Sequence, residues 1–146
     1  YIDHLRPLLS GEKNLESMAQ SQVQEFRTVA GTPVELSIQG RSDDVSVPVV
    51  TAVYRILQEA LANVLKHAQA KHVDVSLAFE PGMVRLSVKD DGVGVEADGL
   101  SRGYGLDNMR QRAEELAGAF EISGQPGEGT TVTIALPARG EQDETD

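Results

Sequence analysis

Four side chains near the middle of the chain carry chemistry at helical spacing. Glu59, Asn63, Lys66 and His67 are separated by four, three and one residues, and Arg55 extends the row by one turn. That spacing puts them on one side of a helix. Asn is a poor interior helix former, so its presence in so periodic a segment invites a reason. An amide oxygen beside a carboxylate is a hard-oxygen pair that suits Mg²⁺. A Lys and a His one turn further suit phosphate oxygens. A solvated Glu–Asn–Lys face has the same spacing, so the row alone leaves both readings open.

Three glycine-rich stretches lie further along the chain. Asp90-Asp91-Gly92-Val93-Gly94 starts where an alternating segment ends at Lys89. Glycines at alternate positions let a backbone approach a flat ligand closely. A carboxylate there can accept a hydrogen bond from an exocyclic amine such as that of adenine. Asp-Gly is also a common turn pair. Gly103-Tyr104-Gly105-Leu106 runs into a helix at Asp107. Glycines before a helix N-terminus offer N–H groups and the helix dipole to an anion, or simply a loop and cap. Gly127-Glu128-Gly129-Thr130-Thr131 places hydroxyls before the last strand. The chain has no GxxxxGK[ST] and no GxGxxG opening a helix within a βαβ unit. The P-loop is thereby excluded and a dinucleotide fold disfavoured.

The elements that must hold these residues are legible in the periodicity. Leu15, Met18, Ala19, Val23, Phe26, Val29 and Ala30 form a helical stripe that Gly31-Thr32-Pro33 stops. Val34, Leu36 and Ile38 alternate as a strand. Ser46 is the expected N-cap of the longest helix, with Pro48 in its first turn. Its apolar positions, Val49 through Leu65 and Ala68, keep a period of 3.6. Val73 to Phe79 and Val84 to Val88 predict a hairpin across Glu80-Pro81-Gly82. A helix over about Asp107–Ala117 places Leu106, Met109, Ala113 and Leu116 inward and stops at Gly118. Two more strands carry Phe120 and Ile122, then Val132, Ile134 and Leu136. Three helices and about five strands in mixed order predict an α+β fold. Its architecture is a two-layer α/β sandwich with the helices on one face of a mixed sheet.

Composition narrows the partners. The chain has 146 residues, about one domain, with 40% apolar and 25% charged residues. Its formal net charge of −10 argues against a nucleic-acid or anionic-membrane surface. The absence of Cys excludes disulfides and thiolate metal sites. No apolar run approaches the about 18 residues of a membrane span, and a reducing, cytoplasmic setting fits. The expected organisation is a remnant of an upstream helix or linker over 1–12, one domain over 13–138 and a disordered acidic tail over 139–146.

Taken together, four segments resemble one family. They are Gln58-Glu59-Ala60-Leu61-Ala62-Asn63-Val64-Leu65-Lys66-His67-Ala68, Asp90-x-Gly92-x-Gly94, Gly103-x-Gly105-Leu106-x-x-Met109-x-x-Arg112 and Gly127-x-Gly129-Thr130. In this order and spacing they are similar to the N-box, G1, G2 and terminal GT elements of the ATP-binding catalytic domain of sensor histidine kinases. The subfamily most similar is the one that partners LuxR-type response regulators. The resemblance covers residues 15–137 and implies the Bergerat ATP-binding sandwich.

The resemblance also implies roles. Asn63 is expected to ligate Mg²⁺, and Glu59 to act at the γ-phosphate as general base or orienting group. Lys66 and His67 are expected at the phosphates. Asp90 is expected on the adenine amine, with Gly92 and Gly94 giving the base room. Gly103, Tyr104, Gly105 and Leu106 are expected to form the lid hinge and phosphate loop, and Thr130 to support Asp90 through a hydroxyl or a water. The implied activity is ATP-dependent phosphorylation of a His on a separate dimerisation domain. The parent is then a homodimer that signals to a response regulator, and this domain alone a cytoplasmic monomer. The sequence departs from the pattern in three places. Asp91 stands where the family often has Asn, the stretch from Gly94 to Gly103 is short, and no phosphoacceptor motif surrounds His4. A serine kinase of the anti-sigma-factor type and a non-catalytic nucleotide-binding module are the competing readings.

Overall fold

The computed structural model describes residues 14–41, 45–92, 105–124 and 127–139. Helix α1, Leu15–Ala30, begins where the Asn14 side chain accepts the Ser17 N–H at 2.9 Å. It ends where the Gly31 N–H returns to the Arg27 carbonyl. Arg27 donates through Nε and Nη2 to the carbonyl of Val34, which ties the helix to strand β1, Val34–Gln39. Helix α2 spans Val47–Asn63, and Gln22 of α1 donates to its Tyr54 carbonyl at 2.8 Å.

Strands β2, Val73–Glu80, and β3, Met83–Asp90, form the expected hairpin. Helix α3 covers Leu106–Glu115, followed by β4, Ala119–Gly124, and β5, Thr130–Pro137. The sheet order is β1-β2-β3-β5-β4, with β1 parallel to β2 and the other pairs antiparallel. Val73, Val75 and Leu77 of β2, Val84, Leu86 and Val88 of β3, and Val132, Ile134 and Leu136 of β5 alternate inward. They share one core with Leu15, Val23, Val53, Ile56, Leu57 and Met109 from the helices. Period-2 burial on the strands therefore meets period-3.6 burial on the helices, and the result is the two-layer α+β sandwich.

Four local expectations fail, each for a physical reason. Val29 is exposed, because the apolar stripe of α1 drifts off the core in its last turn. Ser46 stands at the N-cap, but its hydroxyl caps nothing and is buried without a hydrogen-bond partner. Its own N–H is used instead to reach the Ala138 carbonyl at 2.9 Å. The 3.6 period does not run to Ala68. Residues Val64–Ala68 form a π-helical turn that ends at Gln69 with φ 52°, and Leu65, expected inward, is 49% exposed. A π turn takes up an extra residue and so rotates the side chains beyond it about the helix axis. At the end of α3 the left-handed residue is Ala117 (φ 63°), one place before the expected Gly118. Gly118 is needed for space, since a Cβ there would meet the Leu136 side chain. The expected remnant over 1–12 and the tail from 140 lie outside the described residues.

Candidate active site

Among the described residues Asp90 is the one charged side chain that is buried, at 6% exposure. It ends β3, opposite Val73 of β2 on one side and Thr130 of β5 on the other. Its Oδ1 accepts the Gly92 N–H at 2.8 Å. Burial raises its pKa above the ordinary carboxyl value, and the N–H groups of Gly92 and Thr130 pull part of that shift back. Thr130 thus supports Asp90 with its main-chain N–H, where the sequence pointed to its hydroxyl. Gly129, at φ 81°, makes this possible. A Cβ there would run into the Asp90 carbonyl oxygen.

The neighbouring carboxylate does something else. Asp91 Oδ1 accepts the N–H groups of Lys71 at 2.8 Å and His72 at 3.0 Å. Those bonds hold its pKa below the ordinary value. Asp91 therefore pins the segment that leads into β2, and with it the strand end beside Asp90. A charge standing where an amide is common is here a tie between two loops.

Topology brings the other residues to the same end. Helix α2 feeds β2, whose first residue Val73 lies beside Asp90 in the sheet. The chain thus leaves the C-terminal end of α2, which carries Glu59 and the half-buried Asn63, for the strand end beside Asp90. Glu59 reaches the start of α3. A Cβ on Gly105 would stand 2.6 Å from Glu59 Oε2, so the left-handed Gly105 (φ 67°) lets the carboxylate lie against that helix N-terminus. A negative group is favoured there by the helix dipole. Leu106 is buried just behind it, and Lys66 on the π turn is exposed.

Arg55, counted in the sequence as part of the Glu59 row, instead lines a cavity of about 380 Å³ between α1 and α2, with Phe26 and Leu65. Gly94, Gly103 and Tyr104 lie outside the described residues, as does the side chain of His67. The sequence singled out Asp91 only as a departure from the family pattern and missed its ties to Lys71 and His72, because main-chain ties leave no residue pattern.

This is a two-layer α/β sandwich with a buried carboxylate at the end of β3 and a glycine-capped helix whose N-terminus meets Glu59. Residues 49–140 match the family of histidine kinase-, DNA gyrase B-, and HSP90-like ATPases. The match covers more than half of the chain, and the chain belongs to this family, whose nucleotide is ATP. It is similar to the sensor histidine kinase LiaS of Bacillus subtilis, 35% identical over 92% of this chain and 37% of that protein. It is similar also to the oxygen sensor histidine kinase NreB of Staphylococcus carnosus, 34% identical over 91% of this chain and 39% of that one. The chain thus spans about two fifths of the length of the curated relatives it matches. The histidine kinase domain of the blue-light activated kinase from Erythrobacter litoralis EL346 shares the fold. Its TM-score is 0.69, with 23% identity, over 88% of this chain and 67% of that one.

Proposed function

We propose that this chain is the catalytic domain, over 13–138, of a two-component sensor kinase. It binds Mg²⁺-ATP and passes the γ-phosphoryl group to a His on a dimerisation domain elsewhere in a homodimeric parent. The observation that carries the reading is Asp90: a buried carboxylate held by two N–H groups where β3 ends, in a chain that matches an ATPase family. A carboxylate in a dry site is an acceptor of high selectivity for an N–H donor, and the adenine amine is one.

Asn63 and Glu59 offer the hard oxygen atoms that Mg²⁺ takes, and the bound ion would offset phosphate charge. Lys66 and His67 supply cationic and N–H contacts to phosphate oxygens. Gly92 and Gly94 give the base room, and Gly103, Tyr104, Gly105 and Leu106 carry the phosphate loop to the N-terminus of α3. In the transfer the bond from the γ-phosphorus to the β–γ bridging oxygen breaks and a bond to the imidazole nitrogen forms. Such a step needs positioning and charge stabilisation above all. Glu59 orients the reacting groups or takes the imidazole proton. A response regulator of the LuxR type is the acceptor downstream, and the domain works on the cytoplasmic side.

The test is phosphotransfer from labelled ATP to a supplied dimerisation domain bearing the acceptor His. Acid-labile phosphate on His supports the reading. Acid-stable phosphate on Ser would make the chain a serine kinase, and nucleotide binding without transfer a regulatory module. Glu59→Gln is expected to keep ATP affinity and slow transfer by about 10²–10⁴-fold, the usual worth of general-base assistance. A rate within a few-fold of wild type would leave Glu59 a structural role only.

A further inference from the structure

On the sheet face turned away from the helices, three side chains converge at the strand end that carries Asp90, on the opposite face from its buried carboxylate. Glu35 of β1 and Asp74 of β2 are direct partners across the parallel pair. His72 lies two residues before Asp74, so its side chain falls on the same face. Its Nε2 is 3.0 Å from Asp74 Oδ1 and 3.6 Å from Glu35 Oε1. One ligand atom from each residue lies within 4.8 Å of the other two.

Two carboxylates set opposite each other on adjacent strands repel, all the more in a chain of net charge −10. A cation between them removes that cost. Lys89 is the cross-strand neighbour of Asp74 on its other side, and no ion pair joins the two among the described residues. The contacts of Asp74 and Glu35 run to His72.

His72 Nε2 and Asp74 Oδ1 form a hydrogen bond at 3.0 Å, so a bound metal would take the place of the shared proton. Ligands at about 2.0–2.2 Å from a tetrahedral ion stand roughly 3.3–3.6 Å apart, a small widening of the 3.0 Å pair and close to the 3.6 Å between His72 and Glu35. The ligand backbone is fixed as well, because the His72 N–H is held by Asp91. We propose that Glu35, His72 and Asp74 form a binding site for a divalent transition metal of the Zn²⁺ class, with water completing the coordination. One imidazole with two carboxylates selects Zn²⁺, Co²⁺ or Mn²⁺ over Mg²⁺, which prefers oxygen alone. The three side chains open to solvent, so the ion reaches them directly and has only the His72–Asp74 hydrogen bond to replace.

The test uses the full chain without an affinity tag and without nucleotide, which keeps it independent of the kinase reading. ZnCl₂ is titrated calorimetrically, with MgCl₂ as a second arm. One equivalent of Zn²⁺ is expected to bind, and Mg²⁺ not to compete. His72→Ala is expected to remove that binding. Asp74→Asn and Glu35→Gln should each weaken it at least about tenfold, since even supporting groups around a metal are worth that much. His4→Ala should leave it unchanged. Amide NMR shifts on adding Zn²⁺ should centre on residues 35, 72 and 74. Absence of Zn²⁺ binding, wild-type affinity in His72→Ala, or shifts centred on His4 or His67 would each overturn the proposal.

Discussion

In the proposed function Asp90 is the residue on which recognition turns, and its environment makes a two-part prediction. Replacing it with Asn keeps shape but removes the charge-assisted acceptor. The variant should fold and bind ATP about ten- to a hundredfold more weakly, the effect of about 1.5–3 kcal/mol for a lost charge-assisted bond in a dry site. Calorimetric titration at unchanged affinity would remove Asp90 from the adenine. The second part is pH dependence. Burial raises the Asp90 pKa, so its proton is taken up at a higher pH than by an ordinary carboxyl. As a raised carboxyl it favours the folded state below that pKa and costs stability as it ionises. The carboxylate form is the acceptor, so affinity for adenosine, which has no phosphate to titrate, should fall as pH drops through this raised pKa. Asp90→Asn should flatten that fall. The residue was legible as an Asp before alternate glycines. The Gly92 donor lies only two residues on, but the burial and the Thr130 donor were not legible, because they come from pairing with a strand 40 residues further along, the β3–β5 pair.

At the scale of elements, sequence patterning was sufficient wherever one face of an element was apolar. The hairpin over Val73–Asp90 and the inward faces of α1 and α2 come directly from period 2 and period 3.6. It was insufficient where geometry changes without a change of composition. Nothing in Val64-Leu65-Lys66-His67-Ala68 announces a π turn, since the apolar spacing stays near-helical. The turn breaks the straight Glu59–Asn63–Lys66 row and leaves Lys66 exposed. The β5 entry is the complementary case. Gly129 is required both for its positive φ and for the approach of the Asp90 carbonyl. Gly129→Ala should lose at least about 1–2 kcal/mol, the cost of a left-handed L-residue. It should also weaken ATP binding by shifting the strand end that carries Thr130. Urea unfolding with a lower midpoint and an unchanged slope checks the first effect. A midpoint equal to wild type would show that the loop relaxes around the new methyl.

At the scale of the whole molecule, charge is the governing quantity. A chain of net charge −10 that takes up ATP, with about four negative charges of its own, meets repulsion that local donors alone do not offset. The carboxylates Asp90 and Glu59 add to the acidity of the chain, and the Lys66 side chain is exposed. A divalent ion at Asn63 therefore should carry much of the phosphate affinity. The prediction is read as thermal stability. Ligand at about 100 times its Kd stabilises by about 2.7 kcal/mol, a melting shift on the order of 5–10 °C for a domain of this size. With Mg²⁺ present ATP should give a shift of that order, and with a chelator far less. The difference should narrow as added monovalent salt screens the repulsion. Asn63→Ala should bring the Mg²⁺ curve down towards the chelator curve while leaving the small adenosine shift in place. Asp90→Asn should shrink both without abolishing them, because ligand at about 100 times the wild-type Kd still stands at roughly 1–10 times that of the variant. Equal shifts for wild type and Asn63→Ala with Mg²⁺ would take the metal away from Asn63 and leave Glu59 as its remaining ligand in α2.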